Sequence, residues 1–232
     1  MVFISLEMVS CSSDDSDNGG YSMEKHITKI DYTTNDPNRQ QNQIIYTINY
    51  DSEGRISSAH KNTMTPNRYT YKYYVDKIEE ELFGINTYYL LNNRIVSDTN
   101  YMGSETNYDY DNNNHIKAIS SMGVTRNFIW SSGNIIQEKR DTNSESLIFD
   151  IEYTNYVCPK NYPMYIFGFS PYGGFSPNSL MFSKYLGVQL RNLPKRYGDY
   201  EYNYTMEDNY PVKVEITNKD KTRSYSYIIT WN

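Results

Sequence analysis

The stretch YTINYDSEGRI, residues Tyr46–Ile56, contains the smallest unit from which this chain is built. Its first half alternates bulky and polar side chains, and alternate residues of a strand point to opposite faces of a sheet. The Asp51–Gly54 segment consists of residue types that favour a tight reversal of the chain. Ile56 then opens a returning strand with a β-branched side chain. The stretch therefore predicts a β-hairpin.

Related hairpin units recur along the chain at Tyr108–Ile116, Phe128–Ile135 and Tyr200–Val212. One hairpin cannot bury its own apolar face, so each unit must lie beside the next. No long Gly/Ser/Pro linker interrupts the series, which favours one domain. The pattern predicts an all-β fold, a single antiparallel meander that forms a strongly curved sheet or open half-barrel.

Residues 156–197 interrupt this pattern with a segment rich in Pro, Gly and aromatic residues. Within it, Ser176 can cap a helix, Pro177 suits a first helical turn, and Gly187 can end the helix in a left-handed conformation. We therefore expect one short helix in an aromatic insertion. Because an open curved sheet has a concave face that needs covering, we expect this insertion to lie there.

The N-terminal residues divide the chain into a leader, a tether and a β domain. The apolar run that begins at Met1 is too short to span a bilayer. Ser10 followed by Cys11 and a Ser/Asp-rich segment resembles a bacterial lipoprotein signal with Cys11 as the lipid acceptor. We predict a signal remnant at 1–10, a disordered tether at 11–23 and a single β domain at 24–232. The alternative is a disordered N-terminus with a free cysteine.

Composition restricts the partners of the protein. The chain of 232 residues has a net charge of −6, and nucleic-acid binding requires a basic surface. The 26 tyrosines supply ring area for a sheet while keeping their hydroxyls available to water. We expect a membrane contact through the lipid anchor and no nucleic-acid partner.

Metal, cofactor and catalytic motifs are not found in the sequence. His26, His60 and His115 fall on separate predicted strands without ligand spacing. The run that begins at Asp109 resembles a calcium loop, but Ser120 occupies the position of the bidentate glutamate, so we interpret it as a hairpin turn. We expect no metal, no cofactor and no catalytic residue. A hydrolase with an unrecognised carboxylate pair remains the third functional hypothesis.

A membrane-embedded barrel is a competing fold, because apolar residues alternate up to the C-terminus. Its outward face would need an uninterrupted apolar band. The charged Lys213 and Glu215 would then have to line a lumen. We therefore favour a sheet held at the membrane by a lipid anchor alone.

The tether, the strand–turn repeats and the end that runs from Asn192-Leu193-Pro194 to Tyr210–Val214 together resemble a known group. This group comprises gut-bacterial lipoproteins of a domain-of-unknown-function family described as having a porin-like fold. The repeats are also similar, more weakly, to Tyr-Asp (YD, or Rhs-type) repeats, with the Gly-Arg step kept at Gly54-Arg55. The resemblance implies a curved antiparallel sheet at the outer membrane, on its periplasmic or cell-surface side. It implies no established activity.

The leading functional hypothesis is a non-catalytic envelope protein that binds a lipid or a glycan where the sheet meets the insertion. The second is a structural or assembly component that contacts other envelope proteins through a sheet edge or a Tyr-rich face. The insertion aromatics either fill the curved sheet or line a binding site against it. These candidate ligand contacts are Tyr162, Tyr165, Phe167, Phe169, Tyr172 and Phe175.

Overall fold

The computed structural model describes residues 24–37, 43–63, 67–164, 168–169 and 174–232. In these residues sixteen antiparallel strands, each beside its neighbour in sequence, form a closed barrel. The prediction of an all-β antiparallel fold with one short helix is confirmed, but the prediction of an open half-barrel was wrong. Seven residue pairs from Ile27↔Trp231 to Thr34↔Tyr225 join the first strand to the last and close the sheet. Closure removes both sheet edges, which explains why the meander does not stop at a half-barrel.

The strands of the barrel are short. The first half comprises β1 (Ile27–Thr34), β2 (Gln43–Tyr50), β3 (Ile56–Lys61), β4 (Arg68–Tyr73), β5 (Lys77–Glu81), β6 (Ile85–Leu91), β7 (Arg94–Thr99) and β8 (Glu105–Tyr110). The second half comprises β9 (Ile116–Ser121), β10 (Val124–Ser131), β11 (Asn134–Asp141), β12 (Ser146–Val157), β13 (Asn192–Tyr197), β14 (Tyr200–Glu207), β15 (Tyr210–Asn218) and β16 (Ser224–Trp231). The helix α1 (Asn178–Tyr185) lies between β12 and β13.

Turn residues with positive φ set the register of the hairpins. Asn92 and Asn93 have φ values of 51° and 59°, and Gly54 has a φ of 68°. Two consecutive residues with positive φ are typical of the turn whose twist matches that of paired strands. Asparagine and glycine, the residue types that best tolerate a positive φ, therefore occupy the positions where the chain reverses at these two turns.

The two faces of the barrel wall differ in polarity. In β1, Ile30 and Tyr32 are buried in the interior, whereas Lys29 and Asp31 alternate with them on the outer face. On β15, Lys213 and Glu215 form an outer-face ion pair at 2.7 Å. A strand facing lipid would carry an apolar outer face instead. These two strands thus place charged residues outside and apolar residues inside, whereas other strands also expose Ile129, Ile148 and Ile228.

The insertion fills the inside of the barrel. A barrel of about sixteen strands is wide enough to hold an aqueous channel if only wall side chains occupy it. Here the segment at residues 158–191 contributes to the core cluster formed by the inward wall residues. Met181 and Leu186 of the helical region are 1% and 0% exposed. We call this segment the plug.

The end of α1 requires a glycine. Gly187 has a φ of 75°, and a Cβ built on it would lie 2.2 Å from the carbonyl oxygen of Asn114. The expected left-handed helix end is therefore present, and it packs directly on the β8–β9 turn. Pro177 is the N-cap residue of the helix, and no side chain caps the helix there, so the capping role expected of Ser176 was wrong.

No helix in the described ranges is long and apolar enough to cross a membrane.

Candidate functional site

Three of the predicted ligand contacts are buried inside the barrel. Tyr162, Phe169 and Phe175 are 3%, 1% and 5% exposed. The ring centroid of Phe169 lies 5.3 Å from that of Tyr162 and 5.7 Å from that of Phe175. The sequence allows the insertion aromatics either to fill the sheet or to line a binding site. For these three residues the contacts favour filling. Tyr165, Phe167 and Tyr172, like the predicted lipid attachment at Cys11, lie outside the described residues.

Glu80 is a buried carboxylate that the sequence did not single out. It points inward from β5 and is 1% exposed. This is unexpected for the middle of three consecutive glutamates, Glu79–Glu81, because charged runs are usually exposed to solvent. Asn86 donates a hydrogen bond to Glu80 Oε2, and the Tyr88 hydroxyl donates another at 3.4 Å. Asn178 Nδ2 of the plug helix also donates to this oxygen at 3.4 Å. Amides and a phenol, rather than basic side chains, therefore hold this carboxylate.

Burial has the largest effect on the pKa values of two inner carboxyl groups, those of Glu80 and Asp98. Desolvation raises the pKa of Glu80, although the hydrogen bonds from Asn86, Asn178 and Tyr88 act in the opposite direction. Desolvation likewise raises the pKa of Asp98, whose Oδ2 accepts a bond from the Tyr108 hydroxyl at 2.6 Å. Raised carboxyl pKa values occur at catalytic sites and also at structural ones. The contact with Asn178 gives Glu80 a structural role, because it attaches the plug helix to the wall.

Glu138 forms a second buried polar group, with basic partners. It is 0% exposed, and Arg126 donates to both of its oxygens at 2.7 and 2.8 Å. Arg140 Nη2 donates to Oε1 at 3.0 Å and the Tyr197 hydroxyl to Oε2 at 3.0 Å. Burial alone would raise the pKa of Glu138, but the two arginines lower it below its usual range. This network ties β10, β11 and β13 together inside the barrel.

The barrel wall is weakest between β13 and β14. Only two residue pairs, Arg196↔Glu201 and Tyr197↔Tyr200, join these strands, whereas eight pairs join β14 to β15. The same register would continue with Pro194 opposite Asn203, but proline has no N–H to donate. The Pro194 carbonyl instead accepts a hydrogen bond from the Tyr204 side chain at 2.8 Å. A side-chain contact thus lies where a backbone ladder would continue.

A bulge in β12 faces this weak part of the wall. Between the pairs Tyr153↔Pro194 and Val157↔Asn192, β12 has three residues and β13 has one, so β12 has two more residues than the register can pair. Side chains tie the bulge down, since Thr154 Oγ1 donates to the Leu193 carbonyl at 3.0 Å. Bulges redirect side chains and end local pairing. Here the bulge turns residues 154–156 towards the space beside β14.

Two adjoining hollows occupy this space, and we call them together the lateral notch. The first has a volume of about 670 Å³ and lies between residues 153–156 of β12, Lys195 of β13 and residues 202–204 of β14. The second, of about 610 Å³, lies between residues 155–157 and Pro159 on one side and Met206 and residues 208–210 on the other. Asn155 and Tyr156 line both, so the two hollows adjoin.

The lining of the first hollow is aromatic and polar, and that of the second also includes the apolar Val157, Pro159 and Met206. Tyr156, which lines both hollows together with Asn155, is 49% exposed. Lys195 contributes a positive charge to the first hollow and Asp208 a negative charge to the second. Asp208 lies 3.9 Å from the Lys25 ammonium, which also lies over the Tyr210 ring. Exposed rings and amides of this kind can bind an uncharged polar ligand.

The described residues provide no evident metal centre. Within them, no three His, Cys, Asp or Glu side chains form a group that could hold an ion. The run once compared with a calcium loop ends in a turn, where Asp111 Oδ1 accepts the backbone N–H groups of Asn113 and His115, both at 2.9 Å. Asp111 is thus used to reverse the chain.

Sequence reasoning identified the insertion but not the lateral notch beside it. One available signal was Pro194, because a proline in a strand marks an edge or an interrupted ladder. The bulge in β12 has no such signal, since residues 153–157 are compatible with an ordinary strand. The inward position of Glu80 could have been read from its spacing of two from Ile78.

Comparisons with known proteins identify the fold. No family model matches the chain, no curated protein is similar enough to match, and nothing supports the resemblance to Tyr-Asp repeats. A porin-like protein from Bacteroides uniformis ATCC 8492 matches with a TM-score of 0.68 at 12% identity, over 89% of this chain and 98% of that one. A porin-like protein from Bacteroides vulgatus ATCC 8482 matches with a TM-score of 0.60 at 14% identity, over 90% and 99%. The protein has the fold of these porin-like proteins of gut Bacteroides.

Proposed function

We propose that the protein is a non-catalytic, lipid-anchored binding module of the cell envelope that holds a neutral glycan in the lateral notch. The observation that carries the proposal is the pair of adjoining hollows between β12 and β14, with the exposed Tyr156 in the lining of both. It lies where the wall meets the start of the plug. The lipid anchor is the predicted one at Cys11.

The filled interior favours binding at the side of the barrel over passage through it. Phe169 and Met181 of the plug are each 1% exposed and belong to the same core as the wall. A solute would have to displace this core, and large core side chains contribute several kcal/mol each. The lateral notch offers a ligand volume without that cost.

The lining of the notch favours a glycan over a lipid. A lipid chain requires a continuous apolar channel, whereas Asn155, Lys195 and Asn203 place polar groups along the first hollow. The flat face of a sugar ring can pack on the Tyr156 ring while its hydroxyls bond to neighbouring amides. The lining has one positive residue, Lys195, and one negative residue, Asp208, in separate hollows, so neither hollow has a cluster of charges that would select an ionic ligand, and we infer a neutral sugar.

The outer membrane is the location that this proposal implies. The porin-like fold of the Bacteroides neighbours is consistent with it. The charged outward residues of β1 and β15 support attachment by an anchor rather than by these parts of the wall. The protein would then present the lateral notch to glycans on the periplasmic or cell-surface side.

Titration calorimetry with maltohexaose, cellohexaose and mannohexaose tests the binding site. We expect at least one to bind with a Kd below about 1 mM, and we expect Tyr156→Ala to weaken that binding at least tenfold. The matched control is Tyr89→Ala, since Tyr89 is 44% exposed on β6, outside the notch. Absence of binding by all three sugars, or equal loss in both variants, contradicts the proposal. Binding of palmitate in the notch would favour a lipid instead.

The second candidate function is an assembly role through β14. The two-pair ladder with β13 leaves the segment that begins at Asn203 with a ladder on its β15 side only. An extended segment of another envelope protein could add to such an edge through backbone hydrogen bonds. Copurification of a partner that is lost when Thr205 is replaced by Pro would favour this function over glycan binding.

A further inference from the structure

The two ends of the barrel carry different turns. One end holds the β5–β6, β7–β8 and β9–β10 turns, with the sequences Leu82-Phe83-Gly84, Tyr101-Met102-Gly103 and Met122-Gly123. These eight residues contain no charged side chain. The opposite end has turns such as Asp51–Arg55 and the one at Asp111, which carry charges. The opposite end also has two uncharged turns, Asn92-Asn93 and Ser132-Gly133, but these carry no large apolar side chain.

The apolar side chains of this sector protrude from the molecule. Phe83, Met102 and Met122 are 64%, 70% and 80% exposed. The ring centroids of Phe83 and Tyr101 lie 6.4 Å apart, so the first two turns touch. We call Phe83, Tyr101, Met102 and Met122 the apolar tips.

The barrel topology makes the apolar tips neighbours. Strands β5 to β10 are consecutive in the sheet, so the three turns follow one another along the same rim. Adjacent strands lie about 4.8 Å apart, which places successive turns about 10 Å apart. The tips thus form one row about 20 Å long rather than scattered exposed residues.

We propose that the apolar tips insert into the interfacial region of a lipid bilayer and so orient the barrel on its surface. Protruding side chains from separate turns suit a soft, fluid partner, because lipid chains can surround each of them separately. Tyr101 has a ring and a hydroxyl, the combination that is enriched at membrane interfaces. Large exposed apolar groups in one row are a sign of a protein or membrane contact.

The charges just behind the tips specify the kind of lipid surface. Glu81 at the end of β5 and Glu105 at the start of β8 are exposed and adjoin the row. These carboxylates oppose approach to anionic lipid, so a zwitterionic surface fits best. They also limit insertion to the tips, since the strands behind them carry charge.

The length of the N-terminal segment makes this contact compatible with the predicted anchor. From Cys11 to Glu24 the chain can reach about 45 Å when fully extended. A strand of the length of β1 spans about 26 Å. The described chain begins at the opposite end from the tips, so a tether of this length can pass along the barrel to the same membrane. The proposal does not depend on the glycan site.

Vesicle sedimentation of the full chain with Cys11→Ala, which removes any acyl anchor, tests this contact. With phosphatidylcholine vesicles we expect the protein to pellet, and we expect Met102→Ser/Met122→Ser to lower the apparent affinity at least tenfold. The matched control is Val75→Ser, because Val75 is 100% exposed on the β4–β5 turn at the other end. Phosphatidylglycerol should not strengthen binding.

Each contrary result overturns the proposal. Failure of the Cys11→Ala chain to pellet excludes lipid insertion, as does equal binding by the Met102→Ser/Met122→Ser variant. An equal loss with Val75→Ser would show that the effect is not specific to the tips. Self-association that disappears in the double serine variant, without vesicle binding, would assign the tips to a contact between copies. Circular dichroism of each variant confirms that the barrel is folded.

Discussion

The Phe169 ring of the plug lies 4.7 Å from the Tyr227 ring of β16, measured between centroids, and both residues are almost completely buried. The contact joins the plug to a strand at the closure of the barrel. Replacing Phe169 with Ala should therefore lower the free energy of unfolding by about 3–5 kcal/mol. Urea denaturation measures this loss. Phe83→Ala is the matched control, because Phe83 is 64% exposed and its removal should cost about 0.5 kcal/mol or less. Equal effects of the two substitutions would show that Phe169 does not belong to a packed core.

Glu138 forms ion pairs with Arg126 and Arg140 on the inner side of the wall, so its replacement should lower the stability of the fold. Glu138→Gln should reduce the free energy of unfolding by about 3–5 kcal/mol, since Arg126 and Arg140 would lose their shared carboxylate. Glu152→Gln is the control, because its pair with Arg196 is largely exposed and should contribute little to stability. A small effect at Glu138 would mean that water already solvates the arginines.

Glu80 should make the barrel less stable as the pH rises. Burial raises the folded-state pKa of Glu80 above the ordinary glutamate value of about 4.5, so the folded protein binds more protons than the unfolded chain between those two values. The free energy of unfolding contributed by Glu80 therefore falls as the pH increases from about 4.5 through the folded-state pKa. Glu80→Gln should remove this contribution.

Thermal melts at pH 5 and pH 8 check the sign. The melting temperature of Glu80→Gln minus that of the native protein should be more positive at pH 8 than at pH 5. Glu79→Gln should lack this trend, because the Lys77 ammonium lowers the pKa of Glu79. A Glu80→Gln difference that is the same at both pH values would indicate that the carboxylate ionises as it does in water.

The predicted anchor at Cys11 can be tested in cells. With a complete signal sequence, native protein should stay with membranes through a carbonate wash, whereas Cys11→Ala should be washed out. Contact through the apolar tips alone is reversible and should not survive the wash. Retention of both forms would exclude the lipid anchor.

Local patterns predicted the hairpins, because each depends on residues close in sequence. Tyr46–Ile56 contains both strand alternation and a turn, and its Gly54 has the expected positive φ. Closure could not be predicted in this way, since it depends on pairing between residues 27–34 and 225–231 at opposite ends of the chain. Nothing in the first strand identifies the last as its neighbour.

The candidate site depended on the same kind of long-range information. The lateral notch forms because Pro194 interrupts one ladder and β12 bulges beside it. Only the proline is visible in the sequence. The insertion aromatics could be singled out by composition, but whether Phe169 faces a ligand or the core depends on the width of the barrel that surrounds it.

Hydrogen exchange of the backbone amides tests glycan binding in the lateral notch most directly. The measurement compares the free protein with the protein saturated by whichever hexasaccharide binds in calorimetry. Bound sugar should slow exchange in residues 154–157 of β12 and 203–207 of β14, and should leave residues 45–48 of β2 unchanged. Protection confined to the plug or to the turns, or no protection near Tyr156, would contradict the assignment of the lateral notch as the binding site.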